Sequence, residues 1–348
     1  MCNVFSDITK CDLMNKSEQD MEWLNNKKLE IKQNHHYVWA NYMKHWSTNG
    51  RNIYYTKKKG GIAQDSIKSV AVEKHFYRVN MLTEEHVYLI KTLIAMSNDI
   101  ELKKHHEKAL KSYLDTQEIY KHYTSLGVNS EYGDKLFNAA KNNSIEDMHS
   151  QLERDASSVS NELRGLNVST LRKIDKMTPF LLFLGHQLTR TKAFKESFIK
   201  SFAKNCGPQI AELIEESWWF ISFLYGNNLG KSLCINRDYC YQSILENNTS
   251  TPFITADAPV INIHPKINMG TPPLKHETDY FYPLSPTKAY FIGWSDRFVN
   301  GTNLVNESFV KEVNTKMAEG AHYHIISNKA EILKPYEYLI GRKRKYRN

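Results

Sequence analysis

The chain has 348 residues, of which 41% are hydrophobic and 24% charged, which excludes a disordered protein. Its net charge is +8, but residues 342–347 carry five positive charges, and without them the net charge is +3. The most apolar window, residues 218–225, is too short to cross a bilayer. Five scattered cysteines without a CxxC motif favour reduced thiols. We therefore expect a cytoplasmic protein with no membrane segment.

Short strand-like segments open the chain. They are predicted around residues 35–38 and at 52–56, where β-branched and aromatic residues are frequent. The lysine- and glycine-rich stretch 57–61 is typical of an exposed turn. Neighbouring side chains of a strand point to opposite faces, so His35 and His36 cannot both line one pocket.

From about residue 84 to residue 230 the hydrophobic spacing is helical. Gly127 is placed to end the second helix of this block. Ser144, followed three residues later by an aspartate, predicts the N-terminus of a third. A last helix is predicted over residues 209–225, ended by Gly226 and the two asparagines that follow it.

Between these helices, Pro179 would start or kink another helix, whose aromatic stripe contains Gln187 and Arg190. At about 100° per residue, the stripe falls within a sector of about 80°. It comprises Phe183, Gln187, Arg190, Phe194, Phe198 and Ser201. A buried arginine needs an anionic partner, so Arg190 is expected either to pair with a carboxylate, such as Glu73 or Asp257, or to hold a phosphate or carboxylate of a ligand.

After residue 230 the pattern changes to short strands separated by proline and glycine turns. Strands are predicted over residues 253–255, 260–264, 280–284, 289–294 and 322–327, with one helix over 308–319. The expected fold is α+β, with a central helical block packed against a mixed or antiparallel sheet of N-terminal and C-terminal strands. One compact domain over residues 31–338 would lie between a polar lead-in, 1–30, and a basic tail, 339–348.

Several sequence patterns exclude function classes. The chain has no P-loop, no GxGxxG and no GxSxG motif, which disfavours nucleotide-driven motors, Rossmann oxidoreductases and α/β-hydrolases. His322 and His324 have the spacing of a metal pair on one strand face, but the sequence identifies no third ligand for it. The metal assignment therefore stays unknown.

Four motifs occur in a fixed order along the chain: His36-Tyr37-Val38, Glu73-Lys74-His75-Phe76-Tyr77, Phe253-Ile254-Thr255-Ala256-Asp257-Ala258-Pro259-Val260 and Tyr282-Pro283-Leu284-Ser285-Pro286. Together they resemble an uncharacterised bacterial domain-of-unknown-function family with an HYVP-type start and an FITSDxP-type strand, linked to anti-phage defence. The resemblance covers roughly residues 32–328. Trp39 stands where that family usually has proline, and Ala256 where it usually has serine.

The favoured hypothesis is a nuclease-like defence or toxin-like effector that hydrolyses phosphodiesters in nucleic acid. Its candidate catalytic residues are His36, Glu73 and Asp257, which supply a base and two carboxylates, with Mg²⁺ as the candidate cofactor. Its candidate substrate-binding residues are Gln187, Arg190, Tyr37 and Tyr77. The basic tail would add non-specific affinity for phosphate.

Two alternatives stay open. The same polar residues would suit a metal-independent transferase or hydrolase acting on a nucleotide-like small molecule, of which ADP-ribosyl transfer is an example. They would also suit a non-catalytic sensor or binding module in which they form a structural network. The sequence leaves the oligomeric state and any protein partner unknown.

Overall fold

The computed structural model describes residues 29–127, 130–266 and 274–341, and there the chain is an α+β protein. The strands are β1 Asn34–His36, β2 Asn52–Thr56, β3 Ile62–Ser66, β4 Val72–Lys74, β5 Tyr241–Asn247, β6 Thr255–Ala256, β7 Ile261–Asn262, β8 Asp279–Ser285, β9 Lys288–Gly293, β10 Gly301–Val305 and β11 Ile325–Ser327. The α-helices are α1 Ala40–Met43, α2 Glu84–Ala95, α3 Ile100–Ser125, α4 Glu131–Arg164, α5 Ile174–Thr189, α6 Lys192–Cys206, α7 Pro208–Glu216, α8 Trp218–Asn236, α9 Glu307–Gly320 and α10 Ala330–Leu333. Short 3₁₀ helices cover Lys44–Trp46, Val168–Arg172, Lys275–Glu277 and Lys334–Leu339.

The strands of the described residues form three sheets. A four-stranded sheet has the order β3-β2-β11-β6, and β11 pairs antiparallel with both β2 and β6. N-terminal and C-terminal strands therefore share one sheet, as predicted. A five-stranded sheet has the order β10-β5-β9-β8-β7 and is mixed, because only β10 and β5 are parallel. β1 and β4 form a two-stranded sheet.

Contacts divide the chain into two compact units, each built from separate stretches of sequence. The helical unit comprises the described residues of 1–35, 73–151 and 201–224. The sheet unit comprises the described residues of 36–72, 152–200 and 225–348. The single domain over 31–338 stays a prediction, and the basic segment 342–348 and most of the lead-in lie outside the described residues.

The sheet unit has an aromatic core between the five-stranded sheet and α9. The ring of Phe281 packs edge to face with two others. Its centroid is 5.3 Å from that of Phe253 and 6.1 Å from that of Phe309. Edge-to-face packing brings the positive edge of one ring to the negative face of the next, which adds to the stabilisation from burial. Asn314 of α9 fixes the chain before β6, since its side chain accepts from Ile254 N and donates to Pro252 O.

The helical unit depends on a buried amide and two aromatic rings. The side chain of Gln117 accepts a hydrogen bond from Leu82 N and donates one to Leu82 O, which satisfies the backbone just before α2. Tyr113 stacks in a tilted geometry on Trp219, with ring centroids 4.5 Å apart. Thr83 caps α2 by accepting from the backbone N–H of His86.

Two of the predicted helix boundaries are wrong and one is confirmed. α3 ends at Ser125, and Gly127 follows it with a φ of +65°, as predicted. Ser144 lies inside α4, where its hydroxyl donates to the carbonyl of Ala140 instead of capping a helix start. The helix predicted over 209–225 is two helices, α7 and α8, and the second continues through Gly226.

The aromatic stripe predicted on one helix is also divided between two. Pro179 lies within α5, and α5 ends at Thr189. Thr191 then caps α6, because its hydroxyl accepts the backbone N–H of Phe194. The polar pair Gln187 and Arg190 belongs to the end of α5, and the later phenylalanines belong to α6.

Glycines in α8 serve helix packing and not helix termination. A Cβ on Gly185 of α5 would lie 2.5 Å from Gly230 N and 2.6 Å from Gly226 O. A Cβ on Gly226 would lie 2.5 Å from a ring atom of His186. Backbone cannot yield at such distances, so α5 and this part of α8 approach closely only because both lack side chains here.

We expect Gly185→Ala to lower the free energy of unfolding by about 1–3 kcal/mol through overpacking, measured by urea denaturation. Gly165→Ala is the matched control, since a Cβ there meets its nearest neighbours at 3.5 Å and 3.6 Å. The control should be neutral to slightly stabilising. Equal midpoints for Gly185→Ala and Gly165→Ala would contradict the close approach of α5 and α8.

In the part of the chain that the structure describes, no helix combines the length and apolar character needed to cross a membrane.

Candidate functional site

The first predicted site residues lie around β1. His36 is half-buried, and its Nε2 is 3.2 Å from Lys68 O. Tyr37 and Tyr77 are 3% and 0% exposed, so their rings contribute to the core. Glu73 is half-buried on β4. The role of these four residues in binding or catalysis stays a prediction.

His35, the neighbour of His36, is fully buried in the helical unit, with both ring nitrogens engaged. Nε2 is 2.8 Å from Lys32 O, and a carbonyl oxygen only accepts, so Nε2 carries the proton. Nδ1 accepts from the backbone N–H of Tyr77 at 2.8 Å. This pairing requires a neutral ring, and burial lowers the pKa of His35 from its ordinary value.

We expect His35 to make the protein lose stability on acidification. Because its folded-state pKa lies below the ordinary value of 6.5, the unfolded chain binds the proton first as the pH falls through 6.5. Stability is then lost progressively at lower pH, and protonation would also turn Nδ1 into a donor facing the N–H of Tyr77. Melting temperatures between pH 8 and pH 5 measure this loss; the range brackets the ordinary histidine pKa of about 6.5.

The variant His35→Gln should have a lower melting temperature at pH 8 and a shallower decline towards pH 5. His276→Gln, which removes an exposed histidine, is the control and should keep the slope of the original protein. A slope unchanged in His35→Gln would assign the acid sensitivity to other groups.

Arg190 and Gln187 form a fully buried cluster in the sheet unit. Nη2 of Arg190 is 2.7 Å from Oε1 of Glu153 and donates to Oε1 of Gln187 at 2.6 Å. Nε2 of Gln187 donates to Tyr37 O at 3.0 Å. Glu153 of α4 is therefore an anionic partner of Arg190. The pairing of Arg190 with Glu73 or Asp257, expected from the sequence, stays a prediction.

Asp257 is fully buried after β6 and accepts three backbone hydrogen bonds. Oδ1 accepts from His322 N at 2.7 Å, and Oδ2 accepts from Tyr323 N at 2.7 Å and from His324 N at 3.0 Å. Burial raises the pKa of the Asp257 carboxyl, while His324 and the three N–H groups favour the charged form. Asp257 thus organises residues 322–324, which we call the histidine segment.

Thr56, at the end of β2, holds the histidine segment from the other side. Its hydroxyl donates to Tyr323 O at 3.1 Å and accepts from Ile325 N at 3.0 Å. Its carbonyl oxygen is 2.6 Å from Nδ1 of His324. Nδ1 must be the donor in that bond, so in the neutral ring Nε2 of His324 has no proton and can accept one.

Charged side chains surround Tyr323, the central residue of the histidine segment. Nζ of Lys58 lies 4.6 Å and Nζ of Lys192 5.7 Å from the centre of its ring. Lys58 comes from the exposed turn between β2 and β3, and Lys192 opens α6. Oε1 of Glu196, one turn further along α6, is 3.3 Å from Nε2 of the buried His322.

This arrangement combines a proton acceptor, two ammonium groups and a half-buried aromatic ring. Ammonium groups bind phosphate oxygens, and an aromatic ring stacks on nucleic-acid bases. The site is thus chemically suited to a phosphate-bearing substrate. Within residues 29–127, 130–266 and 274–341, no three His, Cys, Asp or Glu side chains are grouped so as to hold a metal ion.

The predicted residues are brought together only in part. Gln187 and Arg190 contact each other and the backbone of Tyr37. Asp257 contacts the histidine segment, whose two histidines the sequence suggested only as a pair of metal ligands. The HxH spacing was the available signal, but its significance depends on Asp257 and Thr56, which lie far away in the sequence. One cleft for His36, Glu73, Arg190 and Asp257 stays a prediction.

A family model described as Protein of unknown function (DUF4238) matches residues 34–218, which is more than half of the 348 residues. No curated protein and no solved structure matches the chain. The matched range contains Gln187 and Arg190, whereas Asp257 and the histidine segment lie beyond it.

Proposed function

The chain belongs to the family described as Protein of unknown function (DUF4238), and from the chemistry of its histidine segment we propose nuclease-like cleavage of phosphodiester bonds in nucleic acid. The observation that supports this most directly is the bond between Nδ1 of His324 and Thr56 O, which leaves Nε2 as a proton acceptor. The neighbouring residue, Tyr323, has Nζ of Lys58 and Nζ of Lys192 close to its ring. The motif resemblance to a defence-linked family extends the proposal to a defence or toxin-like effector in the bacterial cytoplasm.

In the proposed reaction, Lys58 and Lys192 bind the non-bridging oxygens of a phosphate, and a base of the nucleic acid stacks on Tyr323. Nε2 of His324 takes a proton from the attacking hydroxyl or water. The new P–O bond forms as the bond to the leaving oxygen breaks, and the leaving oxygen takes up a proton from solvent. The two ammonium groups stabilise the negative charge that develops on the phosphate oxygens.

Cleavage assays with labelled single-stranded RNA, single-stranded DNA and duplex DNA test the chemical role of His324. His324→Gln retains a donor for Thr56 O but loses the proton acceptor. We expect the cleavage rate to fall by at least about 100-fold, the usual minimum for losing a general base. His276→Gln is the control for removing a histidine. Undiminished cleavage by His324→Gln would reject His324 as the base.

Binding measurements at several salt concentrations test the lysines separately from the chemistry. Replacing both Lys58 and Lys192 with alanine should make the slope of log affinity against log salt concentration less steep. The expected reduction is roughly 1.4 for single strands and roughly 1.8 for duplex DNA. The matched control replaces Lys59 in the same turn and Lys204 on α6, both exposed. Equal slopes for the two double variants would place nucleic acid elsewhere on the protein.

The same experiments separate the alternatives. Hydrolysis or group transfer on a mononucleotide, without cleavage of any polymer, would support the small-molecule enzyme. Binding without turnover, unchanged in His324→Gln, would support the non-catalytic module. Repeating the assays with a chelator tests metal dependence, and bacterial growth on expression, with total RNA and DNA profiled, tests the effector role.

A further inference from the structure

A polar cavity lies in the sheet unit, at the C-terminal end of α8. Its volume is about 280 Å³. Its lining includes Leu171, Arg172, Arg237, Asp238, Gln242 and Asn300. None of these residues belongs to the histidine segment or contacts it in the bonds described above.

The guanidinium of Arg237 is buried in the wall of this cavity without its full set of hydrogen bonds. Its side chain is 5% exposed. Nη2 donates to Leu171 O at 2.8 Å. Nε and Nη1, however, are buried and have no hydrogen-bond partner among the described residues. Leaving charged N–H donors unsatisfied in the interior costs free energy, and the positive charge of this guanidinium attracts an anion bound in the cavity that Arg237 lines.

Asp238 offsets the charge of Arg237 only in part. Its Oδ1 is 3.3 Å from Nε of Arg237 but lies outside hydrogen-bonding geometry, and its side chain is 79% exposed. Water therefore screens the attraction between the two side chains. Arg237 follows the last residue of α8, and its full charge outweighs the partial negative charge of the helix C-terminus.

Further donors line the same cavity. Arg172, at the end of a 3₁₀ helix, is exposed and adds a second guanidinium. The side-chain oxygen of Asn300 accepts from Gln242 N at 2.7 Å, which fixes the amide orientation and assigns its NH₂ group as a donor. The Gln242 side chain is held by Tyr290 Oη and by Arg237 O, which makes this wall rigid.

We propose that this cavity binds the phosphate group of a small molecule. With Arg237, Arg172 and Asp238 the local charge is +1, so an anion is attracted. Two guanidinium groups and an amide offer more N–H donors than the two oxygens of a carboxylate can accept, whereas a phosphate has three or four oxygens. The volume is near the lower end for small-molecule sites, about 300 Å³, and suits a compact phosphate ester or free phosphate.

The test is thermal denaturation with and without inorganic phosphate, at constant ionic strength set by chloride. Ligand that binds the folded state alone raises the melting temperature with its concentration. We expect such a rise, and we expect Arg172→Ala to weaken the apparent phosphate affinity about tenfold, which is about 1.4 kcal/mol. Lys173→Ala is the matched control: it removes the neighbouring exposed charge, which does not line the cavity.

Arg172 and Asn300 are both exposed. Arg172→Ala removes none of the hydrogen bonds described above, whereas Asn300→Ala also removes the acceptor of Gln242 N. Asn300→Ala should also weaken phosphate binding. Repeating the measurement with a ribonucleoside 5′-monophosphate shows whether the site binds free phosphate or a phosphate ester. A larger rise in melting temperature than with phosphate identifies an ester, and an equal rise identifies free phosphate. No rise above the chloride control, or the same rise in Arg172→Ala as in Lys173→Ala, would overturn the proposal.

The variant with Lys58 and Lys192 both replaced by alanine separates this site from the proposed nuclease site. It should keep the phosphate-dependent rise, as should His324→Gln. If the rise disappears in the double lysine variant and persists in Arg172→Ala, phosphate binds at the histidine segment, and the Arg237 site is rejected. Failure of the nuclease proposal would leave the phosphate-dependent rise unaffected.

Discussion

Replacing Arg190 with alanine is expected to lower the free energy of unfolding by about 3–5 kcal/mol, because the variant removes the Arg190 charge from beside the largely buried carboxylate of Glu153. Oε1 of Glu153 lies 2.7 Å from Nη2 of Arg190, and the two side chains are 14% and 2% exposed. Oε1 of Gln187 would also lose the donor that now reaches it at 2.6 Å. Urea denaturation measures the change, with Arg51→Ala as a control that removes an exposed arginine.

Two further variants identify the source of the loss. Glu153→Gln keeps the shape of the partner but leaves the Arg190 charge buried, so it should also be strongly destabilising. Combining Arg190→Met with Glu153→Gln removes both charges and should recover part of the stability lost in the single variants. An Arg190→Ala protein with the original urea midpoint would contradict the buried pair.

Arg190→Lys distinguishes a structural arginine from one that binds a ligand. Lysine keeps the charge but cannot donate to Glu153 and Gln187 with one planar group. If Arg190 serves only the fold, stability and activity should decline together. If it also contacts substrate, activity should fall far more than the melting temperature does.

Asp257→Asn is expected to lower the free energy of unfolding by about 2–4 kcal/mol, because one of the two carboxylate oxygens becomes an NH₂ group. Both oxygens accept backbone N–H bonds from the histidine segment, so either orientation of the amide sets a donor against a donor. Asp296→Asn, an exposed site, is the control. Urea denaturation at neutral pH gives the measurement.

The same substitution should disturb His324 before the protein unfolds globally, since its backbone N–H is one of the three donors. We therefore expect faster amide hydrogen exchange at residues 322–324 in Asp257→Asn than in Asp296→Asn. Unchanged exchange and an unchanged urea midpoint would show that the carboxylate charge is not needed to hold the segment.

Local sequence patterns determined much of the fold class. The strand-forming residues Ile53, Tyr54 and Tyr55 predicted β2 at residues 52–56, and its observed bounds are the same. The helix predicted over 308–319 is α9, Glu307–Gly320, capped by Asn306. These elements were predictable because side-chain periodicity and capping act over a few residues. β5 and β10 were not predicted, because their parallel pairing depends on partners distant in sequence.

The sequence predicted that Arg190 is buried, but not which residue pairs with it. The spacing of Arg190 in an apolar stripe predicted an inward position, and Arg190 is 1% exposed, although the helix ends there. Its partner Glu153 could not be deduced, since many carboxylates are compatible with one buried arginine and only the packing of α4 against α5 selects among them.

The candidate site itself was decided by tertiary structure. The sequence alone determined an α+β chain with a polar residue, Asp257, at the end of a strand. It did not determine that this carboxylate binds backbone N–H groups beginning 65 residues later. Every residue except proline carries a backbone N–H donor, so the sequence does not identify which of these donors Asp257 binds. Only the pairing of β11 with β2 and β6 brings Asp257, Thr56 and His324 together.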